Sequence, residues 1–398
     1  MFSYDFRDHG CLSAAVVMIC LSCSLANAEF PKFEYHLIDR IGNQMGQTSL
    51  VDIDKDGDLD WVVGERARTW WFEYAGPDHW IRHDLGQGVR TDVGGTAFDI
   101  DGDGWIDQFC GTGWYRNTGK PRTEPFERFD AGTIVCHDNV AADINGDKKL
   151  DVVAISDQKA HFETVWYEIP PNPREKWIEH KIGGGIHGGV GPRGVGDLDG
   201  DGDNDVVRGD VWFENTDGKG LQWAERAVLA APGGNRPDRY GLAIKVWVCD
   251  LDKDGDLDIV EAEADTVDAR TFWFENKGGA KSASGRLAPD WTSHLISADH
   301  TEQDFHSLAL ADFDNDGDID VCSGGGPLTK GAFKWFIWEN ADGKGGAWKE
   351  QLIFSGKECH ETKAADVDGD GDIDICSKPW NGDEHVYLCN MLKENASK

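Results

Sequence analysis

The 398-residue sequence predicts an all-β ring of seven four-stranded antiparallel blades, and three observations carry that expectation. The pattern Asp-x-Asp/Asn-x-Asp-x-x-x-Asp recurs seven times, opening at Asp52, Asp99, Asp143, Asp197, Asp250, Asp312 and Asp366, at intervals of 47, 44, 54, 53, 62 and 54 residues. Each copy is followed by the same series: a short apolar strand, an aromatic strand, and a strand that opens on an aromatic residue. No stretch shows sustained helical periodicity. Four short strands per repeat of this length mark a blade, not a helical solenoid, so the expected fold is a seven-bladed β-propeller.

Taken in order, residues 1–28 read as a signal peptide. Their apolar run over 11–21 is too short to span a bilayer comfortably and ends at Ala26-Asn27-Ala28, a small-x-small cleavage pattern. The expectation is a secreted or periplasmic protein, with 29–398 forming one propeller domain and no membrane insertion. Next comes Phe33-Glu-Tyr-His-Leu-Ile38, which copies the fourth-strand pattern of Trp177-Ile-Glu-His-Lys-Ile182. The last blade ends near Val386–Asn390 without a fourth strand of its own. Residues 33–38 should therefore complete blade 7 and close the ring, which removes open sheet edges.

The seven loops are candidate calcium sites. Their ligands would be Asp52, Asp54, Asp56 and Asp60; Asp99, Asp101, Asp103 and Asp107; Asp143, Asn145, Asp147 and Asp151; Asp197, Asp199, Asp201 and Asp205; Asp250, Asp252, Asp254 and Asp258; Asp312, Asp314, Asp316 and Asp320; and Asp366, Asp368, Asp370 and Asp374. Oxygen donors at positions 1, 3, 5 and 9, with glycine at 6, are what a hard cation needs. The plainer alternative is that these aspartates only form turns. Four carboxylates within nine residues repel one another, however, unless a cation neutralises them. Removing the signal leaves −33 of the −34 formal charge, and seven divalent ions would bring that to −19. The third loop departs from the pattern, with Asn145 for an aspartate and Lys148 for the glycine, and should be weak or empty. The acidic excess itself excludes a nucleic-acid or anionic-membrane partner. The seven mature cysteines match no disulfide framework or zinc knuckle and read as small buried hydrophobes.

Chemistry is expected at the other end of the channel. Six residues before the loop aspartate, His137, His306 and His360 stand at the same position in blades 3, 6 and 7. One residue later stand Gln47, Asp138, Lys245 and Glu361, with His187 and Arg193 on the approach in blade 4 and Tyr240 in blade 5. The histidines are read as ligands of one axial transition metal or zinc, and His187, Lys245 and Tyr240 as candidate bases. Arg193, Asp138, Glu361 and Gln47 are read as substrate contacts. Arg90, Arg193, Arg236 and Arg239 would make a local basic rim. The alternative is a set of hydrogen-bonded channel-lining imidazoles. His36, His83, His180 and His294 repeat on outer strands and are structural, while His161, His300 and His385 belong to loops.

Repeated across about 33–390, the Asp-x-Asp-x-Asp-Gly-x-x-Asp loops resemble the FG-GAP/VCBS repeat family. That resemblance implies a calcium-binding seven-bladed propeller, a scaffold used by adhesion receptors, secreted binding proteins and some carbohydrate lyases. The chain also resembles, more distantly, propeller-type polysaccharide lyases and aldos-2-ulose dehydratase. This implies a carbohydrate substrate and metal-assisted proton abstraction followed by β-elimination. The competing expectation is a non-catalytic propeller that binds glycans or proteins. Oligomeric state is open.

Overall fold

The structure is a computed structural model that describes residues 30–44, 46, 48–65, 67–87, 95–156, 163–226, 229–237, 244–279, 289–297, 300 and 302–393. The expected signal segment lies outside the described residues, as do Gln47, Arg90, His161, Arg239 and Tyr240.

Seven antiparallel sheets follow one another in chain order. Blade 1 shows the plan, with Thr48–Val51 innermost, then Asp60–Gly64, Arg68–Tyr74 and Trp80–Gln87 outermost. Apolar second strands are buried along their length, because both faces of a blade pack against neighbouring blades. The aromatic third strands fill the space between blades: Trp71, Trp114, Trp166, Trp335 and Trp338 are almost wholly buried. One cluster joins Ile38, Tyr387 and Cys389 of blade 7 to Trp61, Val63 and Phe72 of blade 1.

The ring closes as the sequence predicts. Phe33–Arg40 pairs antiparallel with Glu384–Asn390, Phe33 opposite Asn390, as the outer strand of blade 7. Blade 5 departs from the plan. Pro192–Arg193 adds a fifth, parallel strand beside the inner strand Ile244–Cys249. The glycine run before it packs closely against blade 4. At Gly189 φ is +102°, and a Cβ there would lie 2.3 Å from the Arg208 carbonyl.

A hydrogen-bond pattern repeats in all seven loops. The ninth aspartate is buried and accepts the amide of the second loop residue: Ile53 to Asp60 at 2.9 Å, Ile100 to Asp107 at 3.0 Å, Phe313 to Asp320 at 3.2 Å. Its other oxygen takes an amide from the end of the third strand, as from Asn215 at 2.9 Å or Asn390 at 2.8 Å. Asn117, Asn215, Asn276 and Asn390 then donate from Nδ2 to a loop carbonyl of the preceding blade, latching neighbours together.

Loop positions 4 and 6 are both left-handed, as at Lys55 and Gly57 or Asn315 and Gly317. In the third loop Lys148 takes the glycine's role with φ +69°. A side chain in that region costs about 1–2 kcal/mol. Lys148→Gly should therefore stabilise the protein by about 1 kcal/mol in urea denaturation. A neutral or destabilising result would mean the lysine makes a compensating contact.

His385, expected in a loop, lies fully buried in the strand Glu384–Asn390. Its Nε2 donates to the Ile41 carbonyl at 3.0 Å. Burial depresses its pKa to about 4. Between about pH 4 and 6.5 the unfolded state binds the extra proton, so stability is lost as pH falls through that window, by up to about 3 kcal/mol. His385→Gln should flatten the loss in a melting series. An unchanged pH slope would count against this assignment.

Candidate functional site

The end of the channel opposite the acidic loops holds one connected cluster of charged and imidazole side chains. The inner strand Cys136–Ala142 of blade 3 supplies His137 and Asp138. Asp138 accepts from His137 Nδ1 at 2.8 Å and, through its other oxygen, from the Gly189 and Gly191 amides at 3.0 and 2.9 Å. Lys245 of blade 5 reaches between blades, its Nζ 4.0 Å from Asp138 and 3.5 Å from Glu361 of blade 7. Asp265, just past the second strand of blade 5, lies 3.2 Å from His187 Nε2 and 3.5 Å from His306 Nε2. Its backbone is left-handed, φ +53°, a strained conformation for a non-glycine residue that recurs at functional positions. The His306 ring stacks on His360 at 4.0 Å, and the His137 ring meets His187 edge-on at 4.3 Å. His360 Nδ1 accepts from Lys378 Nζ at 2.6 Å, while its ring stacks on Trp380 at 5.0 Å.

Burial sets the protonation of this cluster. It disfavours charge on Lys245, but Glu361, Asp138 and Asp265 outweigh it and hold the ammonium above the ordinary lysine pKa. The same contest leaves Asp138 and Asp265 below the usual carboxylate range, Asp138 through Lys245 and His137, Asp265 through His306 and His187. His306 is raised, because the carboxylate of Asp265 overrides desolvation. His137 is lowered by burial, and His360 by burial and the nearby cations. Asp304 is pushed up to about 7 by burial, against the pull of His306.

The structure thus brings His137, Asp138, His187, Lys245, His306, His360 and Glu361 into one network. Arg193 stands apart, exposed over the Trp247 ring at 5.9 Å. Arg236 is not a free rim cation: it pairs with Glu263 and donates to the Asp268 carbonyl. The histidines do not present three open nitrogens. His306 engages the His360 carbonyl at 3.3 Å and Asp265, His360 Nδ1 faces an ammonium, and His137 Nδ1 faces Asp138. Two lysines add positive charge where an ion would sit. As they stand, these residues do not fit the transition metal or zinc expected there.

Asp265, Asp304, Lys378 and Trp380 were not singled out by sequence reasoning. Asp265 and Lys378 were legible in one respect. Each is a charged residue at or just past the end of an apolar second strand, which returns to the histidine end.

At the opposite end, oxygen atoms of Asp52, Asp54 and Asp60 converge within 4.8 Å of one another, as do those of Asp99, Asp101 and Asp107, and of Asp197, Asp199 and Asp205. Glu73 of the third strand joins Asp54 and Asp56 in the same way, a ligand candidate the loop pattern did not reveal. The first-position oxygens Asp99 Oδ1 and Asp366 Oδ1 are buried with no hydrogen-bond partner among the described residues. Burial pushes Asp60 and Asp320 up to about 8. All-oxygen donor sets of this kind are chemically suited to a hard cation such as calcium.

Outer-strand histidines are structural, as expected: His83 pairs with Glu73 at 2.8 Å over Trp71, and His180 with Glu168 at 2.9 Å over Trp166. Five of the seven described cysteines lie buried in strands, and all seven are free thiols.

Comparison with known proteins agrees with the repeat architecture. The model of the FG-GAP-like repeat matches residues 143–208, 250–323 and 312–377. No curated protein matches. A solved structure of an Agrocybe aegerita lectin, described as recognising non-reducing terminal N-acetylglucosamine, is 18% identical with a TM-score of 0.47, covering 79% of this chain and 81% of that one. That likeness is too distant to transfer a ligand. Blades, loops and matched repeats agree on one conclusion: the chain is a seven-bladed β-propeller that carries FG-GAP-like repeats.

Proposed function

We propose that the chain is a calcium-stabilised, carbohydrate-active lyase or dehydratase whose proton-transfer centre is the axial cluster. The observation that carries the reading is the His137–Asp138 pair near the buried Lys245 ammonium and His306, whose pKa the Asp265 carboxylate raises. Asp138 holds the proton of His137 on Nδ1, leaving Nε2 as a neutral base for a C–H next to a carbonyl or carboxylate. The Lys245 ammonium stabilises the negative charge that develops, and His306, when protonated against Asp265, adds to it. Lys245, first read as a base, suits this role better because three carboxylates keep it protonated. Asp304, raised to about 7, is an acid able to protonate a departing β-substituent. Calcium held by the loop aspartates would supply countercharge that fixes the blades.

An ultraviolet assay for unsaturated sugar products over a panel of polyuronates and ketoaldoses tests the reading. Activity in the wild type that His137→Ala and Asp138→Asn each abolish, with both variants still folded at the assay temperature by circular dichroism, is the expected result. Full activity in either variant would refute the assigned base.

A second reading, a non-catalytic glycan- or protein-binding propeller, is favoured by one observation. His137, Lys245, His306, His360 and Glu361 are each no more than 4% exposed, so a ligand must enter the channel to touch them. Binding without turnover would support that reading.

A further inference from the structure

We propose that the first two loops carry their own cation: arginine side chains from blade 2 occupy loop carboxylates that calcium would need, so loops 1 and 2 bind calcium more weakly than loops 5 and 6. The proposal rests on the calcium reading of the loops.

In blade 2, Arg116 Nε lies 2.5 Å from Asp101 and Nη2 lies 2.5 Å from Asp103, positions 3 and 5 of that loop. In blade 1, Arg122 Nη2 lies 2.7 Å from Asp54, 2.6 Å from Asp56 and 2.9 Å from Glu73. The two arginines arrive by different routes. Arg116 ends the strand Gly113–Arg116, at the place where the corresponding strands of blades 1, 5 and 6 carry Glu73, Glu275 and Glu339. Blade 2 has inverted the charge at that position. Arg122 lies in the turn that follows and crosses to the preceding blade, where it bridges the very carboxylates that include Glu73. Loops 5 and 6 show the opposite surroundings: Asp252 faces Asp254 and Glu275, and Asp314 faces Asp316 and Glu339.

The chemistry distinguishes the two situations. A guanidinium is permanently charged, and its planar fork engages several carboxylate oxygens at once. It already neutralises positions 3 and 5, and a divalent ion placed there must displace it or sit against a like charge at close range. Loops 5 and 6 hold the same carboxylates with no guanidinium on positions 3 and 5 among the described residues; lysines there pair with the neighbouring glutamate instead, Lys277 with Glu275 at 3.3 Å and Lys349 with Glu339 at 2.5 Å, so the loop carboxylates stay open to an external cation.

Calcium binding to the full chain, stripped with EGTA and titrated with calcium chloride in native mass spectrometry and calorimetry, tests this. Arg116→Gln and Arg122→Gln remove the charge and keep the bulk, and the corresponding alanine variants serve if either glutamine variant misfolds. Each should add one bound calcium, or tighten one site by about tenfold or more. Asp314→Ala, in loop 6, should remove one tight site. If Asp314→Ala loses calcium while the arginine variants match the wild type, the arginine assignment is overturned and the calcium reading survives. If neither the wild type nor any variant binds calcium, the calcium reading fails, and the proposal with it.

Discussion

Excess EDTA at neutral pH should lower the melting temperature of the protein by roughly 10 °C or more. The ninth loop aspartates are buried, and burial pushes Asp60 and Asp320 up to about 8. A ligand that binds only the folded chain stabilises it by about 2.7 kcal/mol per site at a hundredfold excess over its dissociation constant. Two or more occupied loops therefore contribute about 5 kcal/mol, and each kcal/mol moves the midpoint by about 2–4 °C in domains of ordinary size. Differential scanning calorimetry with and without EDTA, followed by calcium add-back, is the measurement. A midpoint that chelation does not move would reject calcium as the stabilising ion.

Lys245→Met should be the most destabilising single change at the histidine end, by about 3–5 kcal/mol in urea denaturation. Lys245 is 3% exposed, and its ammonium lies between Asp138 and Glu361, with Asp265 also within electrostatic reach. Methionine fills similar space but leaves buried carboxylates without their countercharge. Glu361→Gln in the same chain should recover part of the loss, because it removes one of the orphaned charges. A double-mutant cycle reads that coupling directly. A loss below about 1 kcal/mol would mean the carboxylates find water or other partners, and that Lys245 does not organise the cluster.

Three features were legible in residue order because they are local and repeated. The loops announce themselves through four oxygens in nine residues, and the blade strands through an aromatic row after each loop. The closing strand was legible because Phe33–Arg40 copies the fourth-strand pattern of its equivalents. The histidine cluster was half legible. Aligning the inner strands found His137, His306 and His360, since seven-fold symmetry makes equal offsets equal positions along the axis. It did not find Asp265 or Lys378, which come from the ends of second strands.

What only the tertiary structure decided is which charges meet. Lys245 and Asp138 are more than a hundred residues apart, yet the ring sets them 4.0 Å from each other. That contact is one of those that hold the lysine above its ordinary pKa. Arg122 likewise belongs to blade 2 in sequence but to the loop of blade 1 in space. His385 sits in a strand against Ile41, from the other end of the chain. Repeat spacing prescribes backbone elements because their hydrogen bonds and apolar faces are short-range. Electrostatic partners are set by closure of the ring, which places side chains from distant blades around one axis.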